Sequence, residues 1–186
     1  MIASDPSVGR LGAGHAALLS QVDGAPLVQP ASTGFFLPTR YFLAAGAGDA
    51  SVTLVAFDRA LLDAGVGDVN LIKLSSIVGP TCSRISPIPL TPGALVPVAY
   101  ASLTSSRAGE RISSAVAVAH PSDPTRAALV MEHSGHGPRA DVEAEVVRMA
   151  IEGLESRGLS VGRVESMAIE HVVQRAGATF AAVVEL

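Results

Sequence analysis

FDRALLDAGVGDVNLIKLSSIVGP, the stretch from Phe57 to Pro80, changes its periodicity part-way along. Phe57, Ala60 and Leu61 recur at helical spacing, Asp58 falls where a first helical turn favours a carboxylate, and Gly65 suits the C′ position. This part predicts a short helix. VNLIKLSS then reads as an extended run, stopped by Gly79 and Pro80. A helix followed closely by a strand points to a mixed fold, and the end of the extended run carries two adjacent hydroxyls, Ser75 and Ser76.

Working outward, GFFLPTRYFLAAG and SVTLVAF read as short strands, broken at Pro38 and at the Gly/Asp cluster GAGD. Downstream, a proline-rich link (GPTCSRISPIPLTPG) leads to ALVPVAYASL, ISSAVAVAH and AALVMEHS, each with strand length and composition. The clearest helix is PRADVEAEVVRMAIEGLESRG, where Val142, Val146, Met149, Ala150, Gly153 and Leu154 form an apolar stripe. After RVESMAIEHVVQ the chain closes with TFAAVVEL, in which Phe180, Ala182, Val184 and Leu186 alternate toward one face. The sum is α+β, with helices layered on sheet. Residues 1–33, rich in Gly, Ala, Ser and Pro, read as a mobile extension, and 34–186 as a single domain.

Hydrophobic residues make up 48% of the 186 and charged residues 16%, which implies extensive burial within the domain or against copies of it. The net charge of -4 and a single lysine, Lys73, leave no basic stripe for a phosphate backbone, so nucleic acid is not an expected partner. One cysteine, Cys82, offers neither an internal disulfide nor a CxxC pair, which suits a reducing cytoplasm. No apolar run reaches membrane-spanning length and the opening residues lack signal-peptide character, so we expect a cytoplasmic protein without a membrane partner.

A serine needs a base to act as a nucleophile, and the G-x-S-x-G turn of α/β-hydrolases is absent. Two further doublets, Ser105-Ser106 and Ser113-Ser114, show that the pair alone carries little: by itself it reads as polar residues ending a strand. In EHSGHG, Glu132, His133 and His136, with His171 elsewhere, raise a metal reading. The two histidines are interrupted by glycine, however, and a solvated loop explains them better; no metal is expected.

The blocks FDRALLDAGVGDVNLIKLSSIVGP, GALVPVAY, ISSAVAVAHP, LVMEHSG and VESMAIEHVVQRAGATFAAVV, in this order, resemble the pyruvoyl-dependent arginine decarboxylases from about Gly34 to the C-terminus. The resemblance implies a four-layer αββα sandwich, assembled as trimers with sites at subunit interfaces. It also implies self-cleavage between Ser75 and Ser76 into 1–75 (the β chain) and 76–186 (the α chain). Ser76 would become a covalent pyruvoyl group, so that no pyridoxal phosphate is needed. A serine hydroxyl can attack its own preceding carbonyl, which explains the residue type; the resulting ketone then serves as electron sink for a substrate amine joined to it as a Schiff base.

By the same resemblance Glu132 returns the proton after carbon dioxide leaves, and an apolar surround helps a carboxyl keep that proton. Asp58 would bind the guanidinium of L-arginine through two parallel hydrogen bonds. Asn70 would orient polar groups near the carbonyl, and Leu61, Gly67, Val69 and Val130 match the remaining pocket positions. Read from the residues alone, Glu132 is an exposed carboxylate ending a strand and Asp58 a first-turn helix stabiliser. His133 stands where the family pattern leads us to expect a phenol. The implied product is agmatine. Two other readings stay open: the same machinery acting on another amino acid, and an uncleaved binding or regulatory subunit.

Overall fold

The computed structural model describes residues 36–186; the extension expected over 1–33 lies outside the described residues. In chain order the elements are β1 (Arg40–Ala50), α1 (Thr53–Asp63), β2 (Asn70–Lys73), β3 (Ile77–Val78), β4 (Ser83–Arg84), β5 (Leu95–Ser105), β6 (Arg111–Pro121), β7 (Ala128–His136), α2 (Arg139–Glu155), β8 (Val161–Val172) and β9 (Ala176–Glu185). The strands form a five-stranded sheet in the order β2-β5-β9-β1-β4 and a four-stranded sheet in the order β3-β7-β6-β8.

Alternation along the central strands builds the layers. On β9, Phe180, Ala182 and Val184 pack with Ala56 and Ala60 of α1 on the outer face of the first sheet. Ala181 and Val183 point the other way, where with Tyr41, Leu43 and Ala99 they meet Val78, Val116, Val118 and Val130 of the second sheet. Ala115, Ala117 and Ala119 of β6 turn outward onto Val142, Val146, Ala150 and Leu154 of α2. The result is helix, sheet, sheet, helix: the expected αββα order.

Two local expectations are corrected, for one reason. SVTLVAF belongs largely to α1, which begins at Thr53, and β1 runs unbroken through GAGD. A Cβ on Gly46 would lie 2.3 Å from Ala60 O, and one on Gly48 would lie 2.6 Å from Ala56 O. The glycines therefore do not break the strand; they let the helix backbone settle directly on it, opposite the small side of α1. With the helix starting at Thr53, Asp58 falls in its middle, and no acidic residue occupies its first turn. The C-terminal reading holds: Gly65 takes φ 74°, with Gly65 N–H donating to Leu62 O (3.0 Å) and Val66 N–H to Leu61 O (2.9 Å).

The loop expected around His133 and His136 is also corrected, because β7 extends through His136 in register with β6.

The last residue of β9, Glu185, occupies the same inward phase as Ala181 and Val183. It is 2% exposed, its Oε1 has no hydrogen-bond partner, and burial pushes its carboxyl up to about 7.

Two outcomes follow from this packing. Gly46→Ala is expected to cost about 2 kcal/mol, read as a lower urea midpoint at unchanged slope, because the added methyl meets helix backbone. Gly79→Ala, whose Cβ would sit 3.9 Å from Leu37 Cδ1, serves as the neutral control. For Glu185 the folded carboxyl binds its proton more tightly than the unfolded one, so its contribution is complete below the unfolded value of 4.5 and is lost as pH rises toward 7. The loss amounts to roughly 3 kcal/mol at most. Denaturation midpoints measured from pH 4.5 to 8 should fall for the wild type and stay flatter for Glu185→Gln.

Candidate active site

β2 lies at the edge of the first sheet and β3 at the edge of the second, and few residues separate them. Leu74 N–H still bonds Val98 O of β5 at 3.0 Å, while Ser76 O already accepts from Val130 N–H of β7 at 2.9 Å. The chain thus changes sheets across the Ser75-Ser76 peptide. Among the described residues no backbone hydrogen bond holds Ser75 O or Ser76 N–H. So abrupt a crossing is reflected in the dihedrals: Ser76, at φ 73°, is the one non-glycine residue among those described with positive φ. A left-handed L-residue costs about 1–2 kcal/mol, so the peptide between the serines is held in a strained setting.

Glu132 shares the inward phase of Ala128 and Val130 on β7. It is half-buried, not the exposed strand-end carboxylate that its sequence position alone suggested. Ser76 Oγ donates to its carboxylate, 2.8 Å from Oε2 and 3.1 Å from Oε1. A hydroxyl adjacent to a peptide carbonyl is thereby directed at a base. The serines open onto a cavity of about 540 Å³ whose walls include Ile72, Leu74, Ile77, Leu95 and Pro97, with Glu185 as the acidic group in the lining.

The other doublets have ordinary partners. Ser113 Oγ donates to Gly137 O at 2.8 Å, Ser114 and Thr179 share a buried hydroxyl pair at 2.8 Å, and Ser105 bonds Glu110. The histidines are dispersed: His136 Nδ1 lies 3.2 Å from Glu110 and His171 Nε2 lies 3.0 Å from Asp49. Among the described residues no cluster of three or more His, Cys, Asp or Glu is placed to hold a metal. Among the same residues no helix is long and apolar enough to cross a membrane.

Of the expected site residues, one chain brings together Ser75, Ser76, Glu132 and the backbone of Val130, whose side chain is buried between the sheets. It does not bring the others to this group. Asp58 is exposed on α1, and Leu61 and Val69 pack against the core beneath that helix. Gly67 is close-packed, since a Cβ there would lie 2.6 Å from Leu62 Cδ2. Asn70 donates from Nδ2 to Gly93 O at 3.0 Å. These five form a second group, on α1 and the segment leading into β2. Glu185 was missed; its signal was an acidic residue in an otherwise apolar strand phase.

The residues fit a carbonyl made at position 76. A hydroxyl of the right type rests on a carboxylate, at a strained peptide, beside an apolar cavity.

Comparison with known proteins identifies the family. The family model for pyruvoyl-dependent arginine decarboxylase matches residues 40–186. A pyruvoyl-dependent arginine decarboxylase of Methanocaldococcus jannaschii is 44% identical over 156 residues, covering 83% of this chain and 94% of its own. One from Methanococcus aeolicus is 43% identical over 157 residues, covering 84% and 94%. A solved pyruvoyl-dependent histidine decarboxylase overlaps 50% of this chain and 51% of its own at 18% identity and a TM-score of 0.42, and the fold described above rests on none of it. With the family model spanning the whole sandwich and relatives this similar over most of its length, the chain belongs to the pyruvoyl-dependent arginine decarboxylase family.

Proposed function

We propose that this chain cleaves its own Ser75-Ser76 bond and then converts L-arginine to agmatine and carbon dioxide. The observation that carries the first half is the hydrogen bond from Ser76 Oγ to Glu132, made at the positive-φ residue where the chain changes sheets.

Glu132 takes the Ser76 hydroxyl proton as Oγ attacks the Ser75 carbonyl carbon, and the amide C–N bond breaks to leave an ester and a free amine on residue 76. Relief of the left-handed conformation favours that step. Loss of the Ser76 α-proton then expels Ser75 as a carboxylate and leaves dehydroalanine. Tautomerisation and addition of water release ammonia, so that 76–186 begins with a ketone. That carbonyl supplies the electron-accepting conjugation needed for carbon dioxide loss.

The chain's own residues do the rest. Ile72, Leu74 and Leu95 give the cavity beside position 76 an apolar wall. Glu132, already within hydrogen-bond reach of position 76, returns a proton to the substrate α-carbon.

Substrate choice falls to the second group. Asp58, Leu61, Gly67, Val69 and Asn70 stand apart from the cavity in one chain, and we assign them to the site of a neighbouring copy, in the trimer that the family resemblance implies. The apolar surface near both groups supports this: Leu54 on α1 is 76% exposed and Leu95 at the cavity rim 70%. An exposed helix carboxylate then meets the guanidinium through paired hydrogen bonds.

Ser76→Ala is expected to remain one uncut chain on a denaturing gel and to release no agmatine, whereas Ser76→Cys should still cut, more slowly. Asp58→Asn should raise KM for arginine about 30- to 100-fold with a smaller change in kcat, the size of one hydrogen-bonded charge contact. An unchanged KM would move the guanidinium contact to another residue.

A further inference from the structure

Glu185 is the one residue among those described with a buried side-chain polar atom that has no partner. A carboxyl buried in this way is costly and calls for an explanation. Strand packing does not provide one. Its register partner on β1 is Tyr41, whose hydroxyl is already engaged by Glu165 and by His120 at 3.1 Å. Cys82 faces it too, as a thiol that burial, and then the Glu185 charge, push up to about 11. Among the described residues no cation lines the cavity; the other polar members there are Ser75 and Ser76, and Ser76 is occupied by Glu132.

Each sheet therefore contributes one carboxyl to this region: Glu132 bonds Ser76, and Glu185 lines the cavity that Ser75 and Ser76 also line. Glu132 comes from β7 of the second sheet and is engaged, while Glu185 comes from β9 of the first and is free. Decarboxylation through a carbonyl needs two separate proton movements: one off the substrate ammonium before its nitrogen can attack, and one onto carbon afterwards. Glu132 is placed for the second.

Resting on the function proposed above, we propose that Glu185 performs the first, accepting the proton from the substrate α-ammonium. The N–H bond breaks, an O–H bond forms on Glu185, and the electron pair stays on nitrogen for attack at the position-76 carbonyl. The carbonyl oxygen then leaves as water carrying this proton, together with one more from the nitrogen, and the carboxylate is restored. With no cation among the described residues of the cavity lining, the carboxyl is open to an ammonium, and burial pushes it up to about 7, near the range where a general base is most effective.

The test uses purified, processed protein and agmatine, which carries the amine but has no carboxylate to lose. The Glu185 side-chain carbon-13 signal, assigned by its disappearance in Glu185→Gln, is followed from pH 5 to 9. It should titrate near 7 alone and at lower pH with agmatine bound, because the ammonium favours the carboxylate. In parallel, agmatine is captured on the protein with cyanoborohydride and counted by intact mass. Wild-type capture should accelerate through pH 7. Glu185→Gln, and Glu185→Leu as a second variant, should capture about 100-fold more slowly at pH 7 and gain rate only as free amine appears at higher pH. Capture by either variant at the wild-type rate and pH profile, or a Glu185 titration indifferent to agmatine, overturns this proposal alone. Wild-type protein that is never cleaved overturns it together with the function on which it rests.

Discussion

The crossing from one sheet to the other at Ser75 and Ser76 constrains everything around it. Leu74 is still bonded to the first sheet, and the Ser76 carbonyl already belongs to the second. Both sheets are tied into the inter-sheet core through Val183 and Ala99 on one side and Val116 and Val130 on the other, so neither edge can move to relax the link. The left-handed Ser76 is the local consequence of that global packing, and the strain persists because the surrounding layers over-determine it.

The same sandwich positions Glu132 against the crossing. A carboxylate on β7 reaches the serine hydroxyl because Glu132 lies on the inward phase of its strand, and the crossing brings residue 76 to the same edge. Shifting β7 by one residue would turn Glu132 toward α2 and leave the hydroxyl without its base. The other sheet ends in Glu185, which lines the cavity onto which the serines open. One carboxyl is thus tied to the serine, and the other, from the opposite layer, lines the serines' cavity without a hydrogen-bond partner among the described residues.

Much of this was legible in the sequence. Alternation along TFAAVVEL and the stripe from Val142 to Leu154 gave the layers, because period-2 and period-3.6 patterns survive wherever a face is buried. The start of α1 was not legible: SVTLVAF has strand composition, whereas its helical form packs its backbone closely on Gly46 and Gly48 of β1, a tertiary contact that local composition does not encode. The family blocks pointed to Ser76 and Glu132, but their meeting depends on register between strands distant in sequence. Glu185 carried a visible anomaly, an acid among apolar inward positions. Its burial depends on tertiary packing that periodicity does not encode.

The central claim is that the crossing bond breaks by the chain's own chemistry. Intact-mass analysis of freshly purified wild-type protein tests it most directly. Two pieces are expected, 1–75 and 76–186, the second lighter by the mass of ammonia than a serine-initiated fragment and blocked to N-terminal sequencing. One full-length chain after prolonged incubation would contradict it.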